Sequence, residues 1–149
     1  MPASAYPGHD QFLPYLINRT ATQINRRLLD ILDQHGLTMT HWRVLAFLSR
    51  QDDLSIGELA QATMTEQSTL SRSLRALEAR GYVRRRASST DTRAVHVHLE
   101  PQGRKAFESM LAPALELEAV YMEGISDRDR QTLRKLLQRV LQNCEGRAA

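Results

Sequence analysis

From Gln11 to Gln34 the apolar residues return at helical spacing. Leu13, Leu16, Ile17, Ile24, Leu28, Ile31 and Leu32 form one stripe, and Gly36 follows as a stop. A second helix is expected from Thr40, with Trp42, Leu45 and Leu48 on its inner side and Asp52-Asp53 at its exit. Ser55-Ile56-Gly57-Glu58 has the spacing of a capping box, in which the Ser55 hydroxyl and the Glu58 carboxylate serve each other's backbone N–H. The helix it opens, IGELAQA, is short. Thr63-Met64-Thr65 reads as a tight turn with Thr65 as the next N-cap, and a helix over Glu66–Arg80 sets Leu70, Leu74 and Leu77 on one stripe before Gly81 ends it.

The period then changes to two. Tyr82 to Arg86 and Ala94 to Leu99 read as paired strands, with Val95, Val97 and Leu99 on one face and Ala94, His96 and His98 on the other. Pro101 suits the first turn of a long helix carrying Ala106, Phe107, Met110, Leu111, Leu115 and Val120. Pro113 lies inside it and removes a hydrogen bond to Ser109, which predicts a kink or break. Ser126-Asp127-Arg128-Asp129 opens a last helix striped by Leu133, Leu136, Leu137, Val140 and Leu141. The expectation is a mainly α chain with a small β-hairpin.

A length of 149 residues favours one domain, 1–149. No long uncharged apolar run is available to span a bilayer, and MPASAYPGHDQF has neither the basic nor the apolar region of a secretory signal. The single Cys144 excludes an intramolecular disulfide framework and fits a reducing cytoplasm. Charge matters more for where it lies than for its total of +3. Between Arg72 and Lys105 there are nine basic and three acidic residues, a local +6 that leaves the remainder at −3. Affinity for a polyanion, if present, belongs to that segment. A solvated basic face is the plainer alternative. No Gly-rich phosphate loop, paired catalytic carboxylates or Cys–His signature is legible, so an enzyme is not expected.

Two short helices joined by a three-residue turn, the second polar-faced and basic, have the form of a helix-turn-helix. The major groove of B-DNA accepts one helix, whose N-terminal side chains reach base edges. Gln67, Ser68 and Thr69 occupy that first turn, where backbone N–H groups also attract phosphates. Arg72 suits a guanine, and Arg75, a turn further along, suits a phosphate. Ser55, Thr65 and Ser71 on the same unit complete this set of candidates, with Arg84 and Arg86 from the strand that follows. Alone, such a pattern is weak, since an ordinary amphipathic hairpin gives it too. The basic hairpin immediately after it makes the unit a winged helix.

Taken together, several stretches resemble the MarR family of bacterial transcriptional regulators. They are Ser55-Ile56-Gly57-Glu58-Leu59-Ala60, Ser68-Thr69-Leu70-Ser71-Arg72 with Leu74, Leu77 and Glu78, and Gly81-Tyr82-Val83 leading to Arg85-Arg86. Asp91-Thr92-Arg93, then Val95, Val97 and Leu99, then Pro101 and Gly103 complete the likeness. The resemblance implies a winged helix-turn-helix over about 38–100, flanked by dimerisation helices over about 10–36 and 101–144. It implies a two-fold homodimer, for which Leu13, Leu16, Ile17, Leu133, Leu136, Leu137, Val140 and Leu141 are the candidate contacts. The long apolar stripes supply an independent reason, exceeding what one small winged helix can cover.

Carried onto this chain, the family's wing makes Arg93 the residue that enters the minor groove and Asp91 the partner that orients it, with Ser88, Ser89 and Thr90 at tip or phosphate contacts. Where the family usually has Thr after the second wing strand, Glu100 stands, a poorer cap for the next helix. The resemblance also implies a small, often aromatic or phenolic effector, and His35, His41, Trp42 and Arg43 lie near where the family's pocket opens. Trp42 as plain core is the competing reading. No metal or other cofactor is expected: His96 and His98 share a strand face without a cysteine or carboxylate cluster at ligand spacing, and surface placement is the simpler expectation. The functional expectation is a cytoplasmic repressor of an inverted-repeat, double-stranded DNA operator, released by the effector. The alternatives are a constitutive or activating regulator without a ligand and a winged-helix protein-interaction scaffold.

Overall fold

The computed structural model describes residues 6–87 and 95–146. Its elements run α1 (Leu13–Gln34), α2 (Met39–Arg50), β1 (Leu54–Ser55), α3 (Ile56–Thr63), α4 (Gln67–Ala79), β2 (Val83–Ala87), β3 (Val95–Leu99), α5 (Pro101–Tyr121) and α6 (Asp127–Glu145). The chain divides into two compact units, Met1–Ala114 and Leu115–Ala149. No helix among the described residues is long and apolar enough to cross a membrane.

Local chemistry sets most of the helix starts in the first unit. α3 has the expected capping box, with Ser55 Oγ accepting from Glu58 N at 3.2 Å and Glu58 Oε2 from Ser55 N at 2.8 Å. α2 begins one residue earlier than Thr40, because Thr38 and His41 form a second capping box that the usual Ser/Thr-to-Glu/Gln spacing does not reveal. Thr65 is not the N-cap of α4. That position falls to Glu66, whose side chain makes no cap hydrogen bond, while Thr65 Oγ1 donates to the Thr63 carbonyl at 3.2 Å. The turn before it is tight because Met64 takes a left-handed conformation, φ +51°.

Three antiparallel strands form a sheet in the order β1-β3-β2. β2 and β3 pair as the alternation suggests, from Val83↔Leu99 to Ala87↔Val95. β1 was not expected: it adds Leu54↔Val97 and Ser55↔His96 on the far side of β3. Val97 is wholly buried, while Val95 is 38% exposed, so the apolar strand face closes only at its base. α5 starts hard against this sheet. The Glu100 N–H donates to the Tyr82 carbonyl at 3.0 Å, and a Cβ on Gly103 would stand 2.1 Å from that same oxygen. Only glycine fits there.

Leu32, Val44, Leu45, Leu48, Leu59, Leu70, Leu74 and Leu77 are all fully buried in this unit, drawn from α1 to α4. Trp42 is half-buried against that core, its ring 5.0 Å from the Phe107 ring.

In the second unit the end of α5 leads through a turn into α6. Of the kink or break expected at Pro113, the break does not occur, and α5 runs uninterrupted from Pro101 to Tyr121. Proline's own φ is helical, so the cost is one missing hydrogen bond and a local clash rather than an obligatory stop. Arg130 ties the turn, donating to the carbonyls of Met122 at 2.8 Å and Ile125 at 2.9 Å. Ser126 caps α6 as expected, accepting from Asp129 N at 3.2 Å. α6 buries no residue.

Candidate nucleic-acid interface

α4 is two-faced. Leu70, Leu74 and Leu77 are fully buried, whereas Gln67, Ser68, Thr69, Arg72 and Arg75 are exposed and Ser71 is half-buried. The apolar side fixes the helix and the polar side faces solvent. With no side-chain cap at Glu66, the first-turn N–H groups of α4 remain available to an outside acceptor. Thr65 is half-buried behind that turn, and the Ser55 hydroxyl is committed to capping α3.

The junction that aims α4 is held from behind. Arg43 Nη1 donates to the Thr63 carbonyl at 3.3 Å, and Thr63 Oγ1, buried, donates to the Leu59 carbonyl at 2.6 Å. A cation at the end of α3 also suits the negative end of the helix dipole.

The arginine triplet divides by strand face. Arg84 and Arg86 are exposed, while Arg85 turns back to α4, where its Nε lies 2.9 Å from Glu78 Oε2 and its backbone N–H donates to Glu78 Oε1 at 3.1 Å. These bonds hold the Glu78 carboxyl below its ordinary acidity range. Arg84 Nε meets Glu100 Oε1 at 3.0 Å, so the residue standing in the usual cap position serves instead as that arginine's partner. Ser88, Ser89, Thr90, Asp91 and Arg93 lie outside the described residues.

Three of the four candidates for an effector pocket have structural partners through their side chains, and the fourth, His35, is exposed and takes part through its backbone. The His35 carbonyl at the end of α1 accepts from Arg80 Nη1 at 3.1 Å. His41 accepts the Thr38 N–H through Nδ1 at 3.2 Å, and burial, then the Arg80 charge, lowers its pKa. Trp42 packs against Phe107 with the rings tilted by 32°, and Arg43 holds the α3 terminus. A groove of about 550 Å³ lies elsewhere in this unit, lined by Phe47, Arg50, Leu54 and Glu58 among others.

His96 and His98 are not simple surface residues, being 26% and 23% exposed. His96 Nδ1 lies 2.8 Å from Asp53 Oδ1, and His98 Nε2 lies 3.4 Å from the same oxygen. These contacts join residues more than forty positions apart, so no local spacing announces them. Among the described residues no group of three or more His, Cys, Asp or Glu side chains is arranged to hold a metal ion.

A capped helix, a tight turn and a solvent-facing second helix, followed directly by a basic two-stranded hairpin, define a winged helix-turn-helix DNA-binding protein. The comparisons narrow the class. A family model described as "MarR family" matches residues 35–94. A MarR-family transcriptional regulator from Silicibacter pomeroyi superposes with a TM-score of 0.84 at 34% identity, over 91% of this chain and 92% of that one. The transcriptional repressor IacR of Pseudomonas putida is 25% identical over 97% of this chain and 86% of its own length. TtmR, a helix-turn-helix regulator of Methylorubrum extorquens, is 32% identical over 64% of this chain, and the match spans only 49% of TtmR. The chain belongs to the MarR family of DNA-binding transcriptional regulators.

Proposed function

We propose that this chain is a homodimeric repressor that binds an inverted-repeat operator in the cytoplasm and leaves it on binding a small aromatic or phenolic acid. One observation carries the DNA half: the exposed Gln67–Arg75 face of α4, uncapped at its N-terminus and backed by three fully buried leucines. On this reading Gln67, Ser68 and Thr69 meet base edges and phosphates, Arg72 reads a base, and Arg75, Arg84 and Arg86 meet phosphates. Arg93, oriented by Asp91, enters the minor groove, and Ser88, Ser89 and Thr90 contact the backbone beside it, as the family resemblance implies. IacR's being a repressor favours repression over activation.

The dimer reading rests on apolar rows left open in one chain. Leu13, Leu16 and Ile17 on α1 are 67%, 36% and 41% exposed, and Leu133, Leu136, Leu137, Val140 and Leu141 on α6 are each at least 39% exposed. Rows of this extent favour burial against a second copy. A cleft of about 610 Å³ in the second unit, walled by Leu115, Met122, Leu133 and Leu137, adds concave apolar surface of the same kind. Single-domain behaviour, with 10–36 and 101–144 serving the dimer, belongs to the same proposal. A ligand-free, constitutive regulator draws support from one specific observation: the side chains of His41, Trp42 and Arg43 are each engaged in the fold.

The test is selection of bound duplexes from a random pool, with light scattering on the free protein. The expected results are an inverted repeat with half-sites about 10 bp apart and a dimer mass. Arg72→Ala is expected to cost about 1–3 kcal/mol on the selected sequence and to relax preference at one position. Uniform weakening on all sequences would make Arg72 a phosphate contact, and affinity independent of salt would reject DNA binding. A screen of aromatic acids for release of the selected duplex separates the ligand-controlled repressor from the constitutive one.

A further inference from the structure

The turn after α2 reaches across to the return strand of the wing. β1 covers only Leu54 and Ser55, opposite Val97 and His96, and stops short of Leu99. Asp52 extends that edge, its Oδ1 accepting the Leu99 N–H at 2.8 Å. Next to it, Asp53 Oδ1 sits 2.8 Å from His96 Nδ1 and 3.4 Å from His98 Nε2, and Asp52 Oδ2 lies 3.8 Å from His98 Nδ1. Asp53 adopts φ +62°, a left-handed conformation that Asp and Asn tolerate better than other residues with a Cβ. A strained backbone presenting a carboxylate to two imidazoles on another element suggests a purpose beyond turning the chain.

We infer that Asp52 and Asp53 are positioning residues for DNA binding: they clasp the return strand of the wing to the helix-turn-helix through His96, His98 and the Leu99 amide, and the clasp tightens as the imidazoles take up protons. The inference rests on the DNA-binding reading of the winged helix. The surrounding charges give the direction. β2 places Arg86 opposite His96 and Arg84 opposite His98, and Glu100 pairs with Arg84. From α3, Glu58 faces the same cluster. Its carboxyl is held below the ordinary range first by hydrogen bonds with Ser55 and further by His96, with Asp53 opposing. Four carboxylates thus stand with two guanidiniums, and two imidazolium charges complete the balance. The Asp52 and Asp53 carboxylates lie 2.8–3.8 Å from the two imidazoles, whereas the Arg84 guanidinium is turned to Glu100.

The test compares the full-length protein with Asp53→Asn, since Asn keeps the left-handed turn and removes only the charge. A labelled duplex recovered by selection with the wild-type protein is titrated at constant ionic strength at about pH 8 and about pH 6, the span over which imidazoles change charge. Loss of an anion alters affinity for DNA at both values, so the readout is the change in the wild-type-to-variant affinity ratio. That ratio is expected to rise roughly threefold at the lower pH, the scale of a partly exposed ion pair. Carrying His96→Gln and His98→Gln together is expected to abolish the rise. A flat ratio overturns the proposal, and so does a larger low-pH gain in Asp53→Asn than in wild type, which would make the histidines phosphate contacts. Without DNA, hydrogen exchange reads the clasp directly: Leu99 amide protection is expected to fall in Asp52→Ala, and unchanged protection overturns it. Failure of the wild type to bind any duplex refutes the DNA-binding reading instead, and the Leu99 measurement then decides the clasp alone.

Discussion

Leu74 and Leu136 each lie on an apolar helix stripe, yet the first is fully buried and the second is 59% exposed. The difference extends to the winged helix and to α6 as a whole, while the start of α1, in the first unit, leaves Leu13, Leu16 and Ile17 exposed as well. In Met1–Ala114 the stripes of α2, α3 and α4 close on one another and on Val83 and Val97 of the sheet. In Leu115–Ala149, α6 carries an equally clear stripe and buries nothing. Amphipathicity specifies which side of a helix seeks cover, but not whether the same chain supplies it. The winged helix is closed by its own residues, and the terminal helix is left with an apolar face to fill.

The sharpest way to break that comparison is to cut the same side chain in both places. Leu74→Ala is expected to lower unfolding free energy by about 2–5 kcal/mol, through lost burial and a cavity, at every protein concentration. Leu136→Ala is expected to cost much less at low concentration, its effect appearing as a weaker rise of Tm with protein concentration. Chemical denaturation and calorimetry across a dilution series separate the two. Equal, concentration-independent losses would mean that α6 closes within its own chain.

A finer comparison lies within the winged helix, between the two carboxylates that face the wing from opposite sides. Glu78 meets an arginine, Arg85, whereas Asp53 meets histidines. Glu78→Gln is expected to cost about 0.5–1 kcal/mol, because the side chain is a third exposed and water screens the pair. Arg85 lowers the Glu78 pKa in the folded state, so this contribution is complete above the unfolded value, 4.5, and is lost as pH falls through the lower folded value. Urea midpoints measured from neutral pH to about pH 3 should show the wild-type and Glu78→Gln curves converging at the acid end.

What could be read in the sequence was what short-range chemistry controls. The α3 capping box is four consecutive residues, and the wing shows in the alternation Val95, Val97, Leu99. The polar face of α4 follows from the spacing of its three leucines. Local pattern failed where the decisive partner was distant or unusual. β1 is two residues long, too short to show a period, and exists because β3 passes beside it. Arg85 is chemically like Arg84 and Arg86, and only strand pleating and the position of Glu78 turn it inward. The Thr38 cap was hidden because its reciprocal partner is a histidine, and the Asp–His contacts span forty-three residues or more. Pro113 misled in the other direction, as a breaker that the helix tolerates.

The smallest expected effect separates His41 from these carboxylates. Its Nδ1 accepts the Thr38 N–H, which an imidazole can do only while that nitrogen is unprotonated. Burial, and then the Arg80 charge, lowers its pKa below the ordinary 6.5, so the unfolded chain takes up the proton first. The stability involved is complete above that ordinary value and drains away as pH falls below it, until the folded imidazole also titrates. His41→Gln tests this cleanly, because Gln in that position can still close a capping box but carries no titrating group. At about pH 7.5 the variant is expected to match wild type within roughly 0.5 kcal/mol. On acidification the wild type should lose ground to His41→Gln before the Glu78 contribution begins to fall. Parallel curves through that interval would mean that the folded His41 takes up its proton as readily as the unfolded chain does.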